Sequence, residues 1–227
     1  MHPVQAKILN TLLFSTESRF TDLNRDAIDS DRFTFHINRV IMLGLVAKSG
    51  SGLYSLTSMG KEYANRFDTD KAKIEKQPKI GVLLVCSKVE DKNREYLVQQ
   101  RLKQPFYGYH GFPTGKIRIG ETLMGTAERE LYEETGLKAH MELKAVKHKM
   151  DYSAEDEILE DKFFFVIHCT DTKGQFKEQF DGGRNIWLLP KDIVKLDRLF
   201  DGVEENFLLT ERSDISYVEH KYYVKGF

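Results

Sequence analysis

The chain has 227 residues, with 34 Lys and Arg against 35 Asp and Glu, and 41% of its residues are hydrophobic. This length allows one large domain or two modest ones. The near-zero net charge provides no overall field that would hold nucleic acid or an anionic membrane, so such a partner would need a local patch. No apolar run approaches the roughly 18 residues of a membrane span, and we expect no membrane partner.

The two cysteines, Cys86 and Cys169, lie in apolar runs and lack C-x-x-C spacing. Cysteines in such places are more often small core residues than disulfide partners. The first residues, MHPVQAKILNTLLF, lack the basic segment and the cleavage site of a secretory signal. We therefore expect a reducing, cytoplasmic setting.

Residues 1–68 carry the pattern of a small helical domain. The segments LVAK and LYSL flank SGSG, which predicts a β-hairpin, and Thr57 or Ser58 is placed to cap a closing helix. Apolar residues recur at helical spacing in three segments, at residues 4–14, 20–26 and 31–43.

This order of elements resembles the winged helix-turn-helix family, whose third helix enters the major groove of DNA. The resemblance implies candidate DNA contacts on the third helix and the hairpin. Residues 1–68 carry eight basic and seven acidic side chains, whereas phosphate-dominated binding usually needs a clearer basic excess. A dimerisation or protein-docking module is an equal alternative. The candidate DNA contacts are Arg32, His36, Arg39 and Lys48.

A charged run that closes on Pro78, FDTDKAKIEKQPK, separates this part from the rest. We expect a linker at residues 69–79 and a second domain at residues 80–227. The tail of that domain could form a strand at Tyr217–Val224, and it could cover a cleft or join two copies of the chain.

The second part alternates strands with one long helix, which predicts an α+β fold with a mixed sheet between helices, an α/β/α sandwich. A hairpin begins the domain, with strands in KIGVLLVCSKV and YLVQQRL. Gly136 stands where the cap of the long helix belongs. The remaining predicted elements are that helix at 121–135, strands at 143–150, 162–169 and 185–189, and a further helix from Lys191.

Three carboxylates of the long helix, Glu130, Glu133 and Glu134, are spaced i, i+3 and i+4, so they share one helix face. Grouped carboxylates repel one another and raise their own pKa values unless a cation or an arginine joins them. Oxygen ligands of this kind select hard ions such as Mg²⁺ or Mn²⁺. The alternative for an acidic run is a solvated helix face.

The pattern G-x5-E-x7-R-E-L-x-E-E-x-G-L decides between these interpretations. It is matched in full from Gly115 to Leu137, and this match is similar to the signature of the Nudix hydrolase family. The resemblance, over residues 78–200, implies metal-dependent hydrolysis of a nucleoside diphosphate linked to another group X. The signature positions are Gly115, Glu121, Arg129, Glu130, Leu131, Glu133, Glu134, Gly136 and Leu137.

The resemblance also implies roles. Glu130, Glu133 and Glu134 would be metal ligands, and Glu130 and Glu134 catalytic carboxylates, with Glu130 a candidate base. Arg129 would orient the carboxylates, while Glu121 would brace the loop or hold a further metal through water. Thr114 stands where many relatives carry glycine, and its carbonyl is a candidate metal ligand.

Other positions have a functional and a structural interpretation. Arg101 could contact phosphate or face solvent, and Phe112 and Trp187 could stack on a base or fill the core. Glu178 and Asp181 are candidates for an additional acid or are ordinary loop charges. Relatives that cleave ADP-ribose commonly carry a proline about fifteen residues beyond the signature, but this chain has none between Pro113 and Pro190, so the substrate stays open within the nucleotide class.

Two functions compete at this point. The leading hypothesis is a Mg²⁺- or Mn²⁺-dependent Nudix hydrolase with an appended winged helix. The alternative is a transcription regulator that senses a nucleotide metabolite and binds DNA through residues 1–68. Residues 1–68 could also hold a homodimer together.

Overall fold

The computed structural model describes residues 1–68 and 73–224 and divides into two compact units, Met1–Lys76 and Gln77–Phe227. Part of the expected linker, residues 69–72, lies outside the described residues, so the limits 69–79 stay a prediction. Within the described ranges, no helix is long and apolar enough to cross a bilayer.

The first unit is winged-helix-like, as the sequence predicts, with helices around one small hairpin. Its hairpin strands pair antiparallel, with Val46 opposite Leu56, and Thr57 caps the closing helix by accepting from the Gly60 N–H. The elements are α1 (Pro3–Leu13), α2 (Phe20–Leu23), α3 (Ser30–Met42), β1 (Val46–Lys48), β2 (Tyr54–Leu56), α4 (Ser58–Ala64) and a short antiparallel pair, β3 (Phe67–Asp68) with β4 (Lys73–Ile74).

Helix α3 shows how this unit folds. The Asp29 carboxylate accepts from two backbone N–H groups of the first turn, which satisfies donors that have no partner within a helix. Phe33, Ile37 and Val40 follow at helical spacing and are buried in the core of the unit. Apolar residues of α1 pack into the same core.

The second unit is an α+β sandwich around a mixed sheet, which confirms the predicted fold class. Nine strands form that sheet among the residues that the structure describes. They are β5 (Lys79–Glu90), β6 (Asn93–Arg101), β7 (His110–Gly111), β8 (Thr114–Lys116), β9 (Leu137–Tyr152), β10 (Ile158–Gly174), β11 (Gln179–Phe180), β12 (Gly183–Leu188) and β13 (Ser216–Tyr223).

The sheet runs in the order β11-β12-β6-β5-β10-β9-β13, with β7 beside β6 and β8 beside β5. Strands β5 and β10 pair in parallel, and β13 pairs in parallel with β9 at the edge. Strand β5 changes partner along its length. Its start pairs with β8 and its end with β6.

Helices cover both faces of the sheet. Val82 and Leu84 of β5 pack toward Ala127 and Leu131, while the alternate residues Leu83 and Val85 pack on the opposite face. The helices are α5 (Leu123–Thr135) on the first face, and α6 (Pro190–Ile193) and α7 (Val203–Thr210) on the second.

Several elements differ from the sequence expectations. Strands β9 and β10 are longer than predicted because they form one long antiparallel ladder that extends past the core. Helix α7 was not predicted. The tail strand was predicted, and the structure places it in the sheet as β13.

Both cysteines are free and buried, as predicted, with Cys86 of β5 and Cys169 of β10 in register as neighbours. They contribute to the core between the sheet and α5.

Candidate active site

Arg129 is the centre of a charge network on α5. Its Nε and Nη2 atoms donate to the two carboxylate oxygens of Glu121 at 2.6 and 2.8 Å. Its Nη1 atom donates to Glu130 at 2.7 Å and to Glu133 at 3.3 Å. One planar guanidinium therefore orients three carboxylates, a geometry that a lysine could not provide.

Glu121 is fixed in its ionised form by these contacts. The hydrogen bonds from Arg129 are the main reason that its pKa falls to about 2, and the Arg118 N–H and the Thr126 hydroxyl donate to it as well. Glu121 thus braces the loop before α5 and leaves Arg129 with a fixed orientation.

Glu130 packs directly over Gly115 of β8. A Cβ atom at position 115 would lie 2.0 Å from Glu130 Cγ, so any larger residue would displace this carboxylate. Position 136 requires glycine for a different reason. Its φ is +72°, which closes α5 in the left-handed conformation, and a Cβ there would lie 2.1 Å from the Gln175 carbonyl oxygen.

Glu134 is half-buried and faces β6, where the Gln99 side-chain amide donates to Glu134 Oε2 at 2.9 Å. Burial raises the pKa of Glu134; the Gln99 hydrogen bond opposes this shift, and the charge of Glu130 adds to it. The two carboxylates are therefore close enough to repel each other, and a cation between them would relieve that repulsion.

A cleft of about 690 Å³ lies along the part of β5 that pairs with β8. Glu130 and Glu134 line it, together with Thr114 and Gly115. Glu133 does not line this cleft; its carboxylate is half exposed and lies 3.7 Å from Arg118 Nη2. The structure thus brings two of the three predicted acids to the cleft and leaves the third against arginines.

The donor set fits a hard divalent cation, although no group of three or more His, Cys, Asp or Glu side chains in the described ranges is arranged to hold a metal. Glu130 and Glu134 offer carboxylate oxygens to one cleft. Burial raises the pKa of Glu134 and the charge of Glu130 adds to that shift, and bound positive charge would oppose both. Nudix hydrolases generally use divalent metals. The ligand roles of Glu130, Glu133, Glu134 and Thr114 stay predictions.

Arg101, at the end of β6, lines the cleft beside Glu134. Its Nε donates to the Pro105 carbonyl at 2.6 Å and to the Lys103 carbonyl at 3.0 Å. These bonds to the following loop fix the guanidinium in place. Burial lowers the pKa of Arg101, and the charge of Glu134 opposes that shift. The position suits a contact with substrate phosphate.

The two aromatic candidates for base stacking, Phe112 and Trp187, lie in different places in the structure. Phe112 lines the cleft, but it is 6% exposed and packs in the core beneath α7. Trp187 is paired with Leu97 on β6 and packs against the core under α5, and it is not among the described residues that line the cleft. A stacking role for Trp187 stays a prediction.

Glu178 and Asp181 are exposed and lie outside the cleft as the structure describes it. The backbone carbonyl of Glu178 accepts from the Asn185 N–H at 2.7 Å, which is an ordinary loop contact. Their role as an additional acid stays a prediction.

The candidate DNA contacts of the first unit also separate. Arg32, Arg39 and Lys48 are exposed. His36 is 6% exposed and stacks on His2 with ring centroids 4.1 Å apart. His36 follows Phe33 by three positions and so lies on the buried stripe of α3. The DNA-contact roles of all four residues stay predictions.

A family model described as the NUDIX domain matches residues 77–213. The chain belongs to the NUDIX family. The match covers most of the second unit, including the cleft and the whole of α5.

Individual relatives are more distant. Over 89 residues the chain is 29% identical to the ADP-ribose pyrophosphatase of Methanocaldococcus jannaschii, a match that covers 37% of this chain and 50% of the relative. The chain thus spans about half the length of this curated relative.

Two solved structures share the NUDIX fold. The NUDIX domain of Shewanella oneidensis NrtR, complexed with ADP ribose, is 21% identical, with a TM-score of 0.53, and covers 70% of this chain and 100% of that one. The MutT protein of Bacillus halodurans is 22% identical, with a TM-score of 0.51, and covers 66% of this chain and 93% of that one.

Sequence reasoning missed two features of this NUDIX domain. Gln99 donates to Glu134, which lies 35 positions further along the chain. No local sequence pattern predicts this contact. Six of the described lysines also line the cleft: Lys79, Lys103, Lys116, Lys147, Lys149 and Lys162. The alternation of Lys147 and Lys149 along β9 was visible in the sequence, but the grouping of Lys79, Lys149 and Lys162 depends on strand register.

Proposed function

We propose that the chain hydrolyses a phosphoanhydride bond in a nucleoside diphosphate linked to another group X, with Mg²⁺ or Mn²⁺ as cofactor. The observation that supports this most strongly is the network at α5, where Arg129 orients Glu121 and Glu130 while Glu134, half-buried, lines the same cleft.

The carboxylates of Glu130 and Glu134, with Glu133 and the Thr114 carbonyl, would hold the divalent ion. Such an ion neutralises charge on phosphoryl oxygens and acidifies bound water. Arg101, which lines the cleft beside Glu134, would orient the phosphate chain. Glu130 or Glu134 would take the proton of the attacking water, whose oxygen would bond to phosphorus as the anhydride oxygen leaves.

ADP-ribose is one candidate substrate. The curated relative is an ADP-ribose pyrophosphatase, and the NrtR domain was crystallised with ADP ribose. The free, buried cysteines support a reducing, cytoplasmic setting for this reaction.

A screen of the full chain against nucleoside triphosphates, ADP-ribose, dinucleoside polyphosphates and nucleotide sugars, with Mg²⁺, Mn²⁺ or EDTA, tests the proposal. We expect metal-dependent turnover of at least one compound. Glu134→Gln should reduce it by about 10²- to 10⁴-fold, while Glu128→Gln, an exposed acid of the same helix, should not. Absence of turnover across the screen would contradict the proposal.

A second function has one observation in its favour. The winged-helix-like unit exposes Arg32, Arg39 and Lys48 on its third helix and hairpin, so this unit could bind DNA while the NUDIX domain senses a nucleotide. A gel shift with the upstream DNA of the gene tests it. Sequence-specific, salt-sensitive retardation that weakens in Arg39→Gln but not in Arg66→Gln would support it.

The same unit is the candidate for joining two copies of the chain. Light scattering on the full chain would show whether it is a homodimer. If the chain is a monomer, DNA binding and docking of another protein are the roles left for this unit.

A further inference from the structure

Three lysines lie side by side across the sheet at one end of the cleft. Lys162 of β10 is in register with Lys79 of β5 on one side and with Lys149 of β9 on the other. All three line the cleft. We call these residues the lysine row. Like charges directly opposite each other on neighbouring strands destabilise a sheet, so the arrangement needs a compensating partner.

The fold compensates the lysine row only in part. Asp151 lies against Lys149, and its second oxygen is 3.9 Å from Lys162 Nζ, beyond hydrogen-bond distance. Glu160 lies against Lys162 and accepts from Lys79 at 2.6 Å. Among the described residues, these two carboxylates are the ones that pair with three ammonium groups, which leaves the row with a positive excess.

Lys147 shows what a fully satisfied lysine is like in the same domain. Its Nζ donates to the Gly202 carbonyl and to Asn206 Oδ1, both at 3.1 Å, and pairs with Glu205 at 2.8 Å. Its side chain is 1% exposed. Lys147 also lines the cleft, but its three partners tie β9 to α7, whereas the three lysines of the row share two carboxylates.

The pKa of Lys162 is lowered mainly by burial, and the neighbouring cations add to that shift. Burial lowers the pKa of Lys162 to about 8, Asp151 opposes the shift, and Lys149, Lys79 and Arg101 add to it. A bound anion would reverse the repulsion among these cations.

Arg101 connects the row to the catalytic end. Its charge acts on Glu134 at one end of the cleft and on Lys162 at the other. A substrate that placed its diphosphate at Glu130 and Glu134 would extend past Arg101 toward the row. Lysine ammonium groups bind phosphate as point charges.

We propose that the lysine row binds a further phosphate, so that the group X of the substrate itself carries a phosphate. This inference rests on the proposed hydrolase function for its biological meaning. It narrows the substrate class to nucleoside diphosphates whose X is phosphorylated or extends the polyphosphate chain, and it places unphosphorylated sugars among the poorer substrates.

Direct binding tests the row without catalysis. Titration calorimetry of the full chain with inorganic tripolyphosphate, in EDTA so that no metal contributes, should give measurable binding that Lys162→Gln weakens about tenfold and Lys79→Gln about threefold. Lys79 is half exposed, so its variant guards against a folding defect in the other. Lys195→Gln, an exposed lysine outside the cleft, is the matched control and should bind as the unaltered chain does. Equal binding by all four proteins would overturn the proposal.

Turnover tests the substrate class. The ratio of kcat/KM for a dinucleoside tetraphosphate to that for ADP-ribose should favour the tetraphosphate and should fall about tenfold in Lys162→Gln. An unchanged ratio would overturn the assignment of the row to the group X. If the unaltered chain hydrolyses neither compound, the hydrolase proposal fails, while the tripolyphosphate titration still decides whether the row binds phosphate.

Discussion

The two ends of the cleft carry opposite charge excesses. On α5, acids outnumber bases, and one arginine holds three carboxylates in place through bonds of 2.6 to 3.3 Å. In the lysine row, bases outnumber acids, and two carboxylates serve three ammonium groups. The first arrangement would suit a cation and the second an anion, as the two proposals assign them.

The largest expected effect is on stability, and it comes from removing a carboxylate that pairs with the lysine row. Asp151→Asn leaves Lys149 buried without its ionic partner, and breaking a buried pair in this way costs about 3–5 kcal/mol. The free energy of unfolding from urea titration measures it. Asp192→Asn, which removes an exposed pair with Lys195, should change stability by about 1 kcal/mol or less. Equal effects of the two changes would show that the row is not a buried network.

The next largest effect is on activity, and it comes from changing the contact between Gly115 of β8 and Glu130 of α5. Gly115→Ala forces Glu130 away from its position, and a misplacement of about 1 Å near a reacting centre can lower activity about 10²-fold. Steady-state kinetics on the best substrate of the screen measures the loss. Gly50→Ala, where a methyl group meets no neighbour within 4 Å, is the control. Full activity in Gly115→Ala would show that the position of Glu130 is unimportant.

A smaller loss of activity should follow from replacing Arg129, whose guanidinium orients the carboxylates. Arg129→Lys keeps the positive charge but cannot donate to Glu121 and Glu130 together, so we expect kcat to fall about tenfold with a smaller change in KM. Kinetics at saturating metal measures this. Loss confined to KM would indicate that Arg129 contacts the substrate rather than positioning the carboxylates.

The smallest effect concerns the sheet edge. His148 of β9 contacts Glu219 and Asp161 at 2.8 Å each. Burial opposes protonation of His148, but these two carboxylates outweigh it and raise its pKa. The stability from this contact is therefore complete below the unfolded pKa of about 6.5 and is lost as the pH rises through the higher folded value.

Urea titrations of the unaltered chain and of His148→Gln, each at pH 5.5 and pH 9, measure this contribution. The difference between the two proteins should be larger at pH 5.5. A difference that grew toward pH 9 would contradict the raised pKa.

The two ends of the cleft also differ in how far the sequence predicts them. Glu130 and Glu134 are four positions apart on one helix, so helical periodicity alone puts them on one face, and the glycines at 115 and 136 mark the ends of the motif. Lys79, Lys149 and Lys162 are brought together by the register of three strands, which no local pattern determines. His36 and Trp187 fall on the buried side for the same kind of reason, since helix phase and strand pairing decide the direction of each side chain.

The pairing of β5 with β10 has a consequence for folding. Lys79 and Glu160 meet across 81 positions of chain, and such non-local contacts form late and slowly. A partly folded chain therefore cannot assemble the lysine row. Any phosphate that binds there recognises the finished sheet alone, and so pulls the folding equilibrium toward the native state by mass action.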